Sequence, residues 1–154
     1  PHEALQQFGS NTVPHRRIGH NPRWIVEGLA KQFEGDAGLA SNSSSRQQRM
    51  NRDRFVWYVQ SILPRQEPEL LATLISGDEL FMQEPLDGYS AAWALTFFLM
   101  ETQRADFVEY MQALAEVPPD SDLNGPHALA AFEEAFGNLE SVNNSLRRFM
   151  QSLN

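Results

Sequence analysis

The sequence YSAAWALTFFLM, residues 89–100, decides the fold class of this chain. It is the most apolar stretch, and a segment that is apolar on all sides forms a helix buried among others. Its apolar run is far shorter than the roughly 20 residues that a membrane-spanning helix needs. We therefore expect a buried core helix, opened by Asp87-Gly88 and carrying the core residues Trp93, Phe97 and Phe98, and no membrane span.

Helical patterns continue on both sides of this segment. Apolar residues recur at helical spacing from Phe55 to Leu63, and Pro64 is expected to stop that helix because its ring clashes with the preceding turn. A short helix is predicted at about 68–75. An amphipathic pattern at 105–117 ends before two prolines and is expected to form a helical hairpin with the core helix.

The last part of the chain carries clear helix boundaries. Pro126 is suited to the first position of a helix that runs to Phe136, and Gly137 is expected to end it as a left-handed cap. Asn138 can then cap a last helix that ends near Leu153. These signals predict two final helices.

The chain shows no alternating strand pattern and no repeat of fixed period. We therefore predict an all-α, multi-helix bundle that forms a single domain over residues 1–154. The polar tract SNSSS lies within residues 35–50, which we interpret as a surface loop.

Composition excludes several classes of function. The formal net charge is −8, with 12 basic and 20 acidic residues, so the chain repels phosphate backbones and nucleic acid is not expected as a partner. Because there is no cysteine, disulfides, thiolate metal sites and a cysteine nucleophile are impossible. The arginines at positions 46, 49, 52 and 54 are expected to form internal ion pairs or a solvated face.

The first candidate site lies in the sequence HEALQ, residues 2–6. It matches four of the five positions of H-E-x-x-H, in which two imidazoles one helical turn apart bind zinc and the glutamate polarises the attacking water. Gln6 stands where the second histidine would be. Taken alone, a His-Glu pair is more typical of an ordinary helix surface.

The second candidate is Glu27, in the sequence WIVEGLA at residues 24–30. Asn21-Pro22 predicts the start of a separate helix here, ending near Gly35. This helix could bring the Glu27 carboxylate against the HEALQ segment as a metal ligand. The alternative is a glutamate that extends to solvent or accepts hydrogen bonds from a neighbouring helix.

Together these motifs resemble the gluzincin metallopeptidases, which combine H-E-x-x-H with a glutamate in a W-x-x-E-G-x-A context on the next helix. More narrowly, the chain is similar to a bacterial domain of unknown function of that clan. That family has a Y-x-x-x-W-A-L segment, matched by residues 89–95, and an F-G-x-L-E segment, matched by residues 136–140.

The resemblance implies a role for each matched residue. His2 would be the first zinc ligand, Glu3 the general base, Glu27 the last ligand and Tyr89 an oxyanion stabiliser. Gln6 departs from the pattern, and its neutral amide would be a weaker zinc ligand than an imidazole. Without the resemblance, Tyr89 is more typical of a core aromatic residue.

The resemblance also implies that the chain is the helical C-terminal part of a zincin-like catalytic domain that lacks its N-terminal sheet. Because it begins at Pro1 and enters a helical pattern directly, we interpret the chain as a fragment or processed product of a longer protein. Separately, we expect an exported bacterial protein, although this sequence carries no export signal. His15 and His20, in the loop between the two motif helices, could replace the missing ligand. His127 is expected on the surface.

Three hypotheses on function remain at this point. The leading one is a gluzincin-like domain with a degenerate zinc site and weak or no peptidase activity, acting on peptides or proteins. The alternative is a helical module that binds a peptide or protein without catalysis. The third is a structural role within a larger protein.

Overall fold

The computed structural model describes residues 21–32, 45–118, 121 and 123–154. Within these residues the chain is all-α and has no strand, which confirms the predicted fold class. The α-helices in chain order are α1 (Arg23–Gln32), α2 (Arg46–Arg49), α3 (Arg52–Trp57), α4 (Leu70–Ser76), α5 (Glu79–Gln83), α6 (Pro85–Thr102), α7 (Arg104–Ala115), α8 (Pro126–Phe136) and α9 (Leu139–Leu153).

Helix α6 is the centre of the bundle. It contacts α1, α3, α4, α5, α7 and α9, and its core residues Trp93, Phe97 and Phe98 are at most 4 % exposed, as expected. It begins at Pro85, two residues before the predicted start, because a proline at the first helical position has no hydrogen bond to lose. No helix in the described part of the chain has the length and hydropathy to cross a membrane.

The predicted boundaries of the last two helices are confirmed. Pro126 is the first residue of α8, and Gly137 follows Phe136 with φ +97°. The Asn138 side chain caps α9 by accepting a hydrogen bond from the Ser141 N–H at 3.2 Å. Three of the four ends therefore coincide with the residue types predicted to set them, although the ψ of Gly137, −174°, lies outside the left-handed α region.

The region around Pro64 differs from the prediction. Helix α3 ends at Trp57, but the helical backbone continues as a π-helical turn, Tyr58–Ile62, and then a 3₁₀ turn, Leu63–Arg65. Pro64 therefore does not stop the helical run. Pro64 lies in the first turn of that 3₁₀ segment, where the missing N–H costs little. Gln66 then ends the run with φ +51°.

Part of the predicted surface loop is helical. Of residues 35–50, those from 35 to 44 lie outside the described residues, whereas Arg46–Arg49 form the single turn α2. Arg49 donates to both carboxylate oxygens of Glu101, at 3.0 and 2.7 Å, and Arg46 donates to the same carboxylate at 3.1 Å. The predicted internal ion pairs are confirmed for these two arginines.

Candidate functional site

Helix α1 carries the WIVEGLA motif and crosses α6 at Gly28. A β-carbon added to Gly28 would lie 2.6 Å from the Ala92 carbonyl oxygen and 2.5 Å from the Thr96 methyl carbon. Glycine is therefore required by the close approach of the two helices. One helical turn further, Gln32 donates to the Thr96 hydroxyl at 2.8 Å and fixes the end of α1 on α6.

The tryptophan of the motif, one helical turn before Gly28, anchors α1 to two further helices. Trp24 is 0 % exposed, and its ring lies 6.4 Å from Phe107, 6.3 Å from Tyr110 and 5.7 Å from Phe132. These partners belong to α7 and α8, so Trp24 joins α1 to both helices. Its burial supplies a large share of the stabilisation of α1, since fully buried aromatic side chains contribute strongly to a core.

The glutamate of the motif lies on a charged face of α1. Arg23, Glu27 and Lys31 are spaced four residues apart and therefore lie along one side of the helix. Arg23 Cζ lies 4.8 Å from the centre of the Phe81 ring, and Lys31 Nζ lies 4.8 Å from the centre of the Tyr89 ring. The two rings meet edge to face with centroids 5.4 Å apart.

This arrangement brings Glu27 and Tyr89 to the same side of the contact between α1 and α6. Glu27 lies between Arg23 and Lys31 along α1, and these two cations contact the Phe81 and Tyr89 rings. The glutamate side chain is only 14 % exposed, and its Oε2 accepts from Arg23 Nε at 3.4 Å. We call the set Arg23, Glu27, Lys31, Phe81 and Tyr89 the α1 site.

A second polar cluster, which the sequence analysis missed, lies at the start of α6. Asp87 is 4 % exposed. Its carboxylate accepts from the Trp57 indole N–H at 2.9 Å and from Arg65 Nη2 at 2.7 Å. These bonds tie the start of α6 to α3 and to the 3₁₀ turn, two residues before Tyr89. No local spacing signals the cluster, because its members are 22 and 30 residues apart.

The Arg65 guanidinium is held firmly as a cation in this cluster. Its hydrogen bond to Asp87 raises its pKa against the opposing effect of burial, and the nearby charges of Asp87, Glu67 and Glu84 add to the increase. The cluster has its hydrogen bonds and charges matched internally, which is typical of a structural role.

The other predicted site residues are placed only in part. His2, Glu3, Gln6, His15 and His20 lie outside the described residues. His127 is exposed in the first turn of α8, as expected.

The donors of the α1 site can be compared with those that zinc requires. A zinc site needs three or four nitrogen, sulfur or carboxylate ligands about 2.0 to 2.3 Å from the ion. Across residues 21–32, 45–118, 121 and 123–154, no group of three His, Cys, Asp or Glu residues has this arrangement. Glu27 supplies one carboxylate, already bonded to a guanidinium. The described residues therefore do not fit zinc by themselves.

Comparison with known proteins gives a family but no characterised relative. No curated protein and no solved structure matches the chain significantly. A family model described as "Protein of unknown function (DUF1570)" matches residues 1–120. The match spans the HEALQ and WIVEGLA motifs, the α1 site and the Asp87 cluster. The chain belongs to this family of unknown function, which confirms the resemblance to a domain of unknown function.

Proposed function

We propose that this chain is a gluzincin-like metallopeptidase domain whose zinc site is degenerate and whose peptidase activity has been weakened or lost. The observation that carries the proposal is the position of Glu27. Its carboxylate is shielded on one face of α1 and lies on the same side as Tyr89 of α6. Both are residues to which the gluzincin resemblance gives a role.

The surroundings of Glu27 support this proposal. Trp24 and Gly28 lie on either side of Glu27 in the motif. Trp24 packs against α7 and α8, whereas Gly28 packs against α6. Neither packing role requires a glutamate at position 27. A half-shielded carboxylate costs desolvation, so its presence between two packing residues favours a role beyond packing.

Gln6 is the basis for proposing a degenerate site. In a site with His2 and Glu27, the amide oxygen of Gln6 would replace an imidazole and would hold zinc less tightly. A loosely held ion would not lower the pKa of its bound water to about 7, as hydrolysis requires. The proposed site therefore keeps the ligand positions of a gluzincin but binds zinc too weakly to support efficient hydrolysis.

The test is the effect of zinc on thermal stability. Ligands that bind only the native state raise the melting temperature. We expect zinc to shift wild type by less than about 2 °C and to shift Gln6→His by about 5 °C or more when zinc is at about 100 times its Kd. Adding Glu27→Gln to Gln6→His should remove the larger shift.

The controls separate ligation from general effects. Each variant is compared with its own metal-free melting temperature, so that any loss of stability from the substitution cancels. Asn143→His, on the half-buried face of α9, adds a histidine outside the proposed site and should gain no shift. If Gln6→His gains no more than this control, the proposal is wrong.

A second candidate function, a peptide-binding module without catalysis, is favoured by exposed apolar side chains near the α1 site. Met82, next to Phe81 in the chain, is 74 % exposed, and Leu86 in the first turn of α6 is 46 % exposed. This candidate predicts peptide binding that persists in a chelator and weakens in Met82→Ser. Binding that disappears with chelation would contradict it.

A further inference from the structure

The Glu27 carboxylate already has a cation beside it. Arg23 lies one turn before Glu27 on α1, and its Nε is 3.4 Å from Glu27 Oε2. The guanidinium is not a freely moving surface group, because its Cζ lies 4.8 Å from the centre of the Phe81 ring. A guanidinium above an aromatic face is attracted by the ring, and this contact holds the cation in place.

The Phe81 ring is itself fixed. It is 3 % exposed, and a β-carbon on Gly88 would lie 3.0 to 3.2 Å from atoms of Phe81, so the ring packs directly on the first turns of α6. Its edge contact with Tyr89 adds a second constraint. The chain of contacts therefore runs from α6 through Phe81 to Arg23 and then to Glu27.

We propose that Arg23 is the built-in counter-cation of Glu27 and replaces the metal in this site. The part of this inference that concerns zinc rests on the proposed function. A permanently charged guanidinium gives the shielded carboxylate an opposite charge without a metal. It also opposes zinc, because a positive charge within about 4 Å of a ligand oxygen repels a divalent cation.

The inference explains why the α1 site retains Glu27 although the described residues of this site do not fit zinc. A shielded carboxylate with no partner would be costly. With Arg23 beside it, the glutamate survives the loss of a metal ligand elsewhere in the site.

The first test uses metal-free protein and does not depend on any zinc site. Melting temperatures are measured for Arg23→Gln, Glu27→Gln and the double variant. We expect each single variant to lose about 2 °C and the double variant to lose clearly less than the sum of the two. Arg23→Lys should retain part of the stabilisation. Additive losses would overturn the inference.

The second test measures zinc affinity in the Gln6→His background by calorimetry. We expect Arg23→Gln to raise the affinity about tenfold, because it removes a nearby positive charge. The matched control, Arg52→Gln, replaces an exposed arginine of α3 and should leave the affinity unchanged. Equal affinity with and without Arg23 would overturn the inference while leaving the gluzincin proposal intact.

The two tests distinguish the two proposals. If Gln6→His binds no zinc with either residue at position 23, the gluzincin proposal fails. In that case the metal-free measurement still decides whether Arg23 stabilises Glu27.

Discussion

Gly28 of α1 and Thr96 of α6 lie at the point where these helices approach most closely. A β-carbon at position 28 would lie 2.5 Å from the Thr96 methyl carbon, 2.8 Å from its hydroxyl oxygen and 2.6 Å from the Ala92 carbonyl oxygen. The Thr96 hydroxyl is held by donating to the carbonyls of Ala92 and Trp93 at 3.0 Å. This crossing sets the position of α1, whose Arg23 and Lys31 lie over the Phe81 and Tyr89 rings.

The crossing predicts a large effect of Gly28→Ala. The added methyl group meets a backbone carbonyl that cannot rotate away, and overpacking of this kind costs about 1 to 3 kcal/mol. The loss should exceed the roughly 1 kcal/mol that alanine gains in a helix. Urea denaturation monitored by circular dichroism measures the net change in the free energy of unfolding.

Gly77→Ala is the matched control for this prediction. Among the described residues, a β-carbon there meets only the Asn124 side-chain oxygen, at 3.6 Å, which is an ordinary contact. The free energy of unfolding should change by less than about 0.5 kcal/mol. A Gly28→Ala protein as stable as the control would show that α1 and α6 lie further apart than described.

The Asp87 cluster predicts a graded series of variants. Asp87→Asn keeps an acceptor for the Trp57 indole N–H but removes the charge that Arg65 faces, and we expect a loss of about 1 to 2 kcal/mol. Asp87→Ala removes the acceptor of both Trp57 and Arg65, which leaves these two donors without their partner, and should cost about 2 to 3 kcal/mol. Chemical denaturation followed by tryptophan fluorescence provides the measurement.

The control for the series is Asp78→Ala. Asp78 is exposed just before α5, and its side chain does not cap that helix. Its replacement should cost less than about 0.5 kcal/mol. If Asp87→Ala costs no more than this, the cluster contributes nothing to the attachment of α6.

Glu101 predicts how stability depends on pH. Burial of its carboxyl opposes ionisation, but the hydrogen bonds from Arg49 and Arg46 outweigh it, so the pKa of Glu101 lies below its ordinary value of 4.5. Because the folded pKa is the lower one, the stabilisation is present above about pH 4.5 and is lost as the pH falls through the folded pKa.

Glu101→Gln tests this dependence. The variant should melt below wild type at pH 7, and the difference in melting temperature should shrink steadily below pH 4.5. Glu109→Gln, at an exposed position on α7, serves as the control and should follow the wild-type curve. A difference between wild type and Glu101→Gln that stays constant down to pH 3 would contradict the assigned ion pairs.

Local signals predicted much of the fold. Pro126, Gly137 and Asn138 act through their own backbone and side-chain preferences, so their roles are readable from the sequence. Trp93 and Phe97 lie in an apolar run that can only be buried. The prediction for Gly88 was wrong. A glycine is typical of a helix boundary, but Gly88 lies inside α6, where Phe81 packs against its backbone.

The candidate site was predictable only where its contacts are local. Arg23 and Glu27 are four residues apart, and this spacing alone could have indicated their ion pair. The contacts of Lys31 with Tyr89 and of Arg65 with Asp87 depend on how separate helices pack. The π-helical turn at Tyr58–Ile62 likewise has no periodic signal, since it depends on the packing of that segment against α6.

We propose that Glu27 belongs to an inherited zinc site that lacks one ligand at position 6. The most direct measurement is anomalous diffraction at the zinc edge from crystals of the Gln6→His variant grown with zinc. The account predicts one zinc ion per chain, with a Glu27 carboxylate oxygen about 2.0 to 2.2 Å from the ion and His2 among its ligands. A zinc ion bound elsewhere, or no anomalous signal beside Glu27, would contradict it.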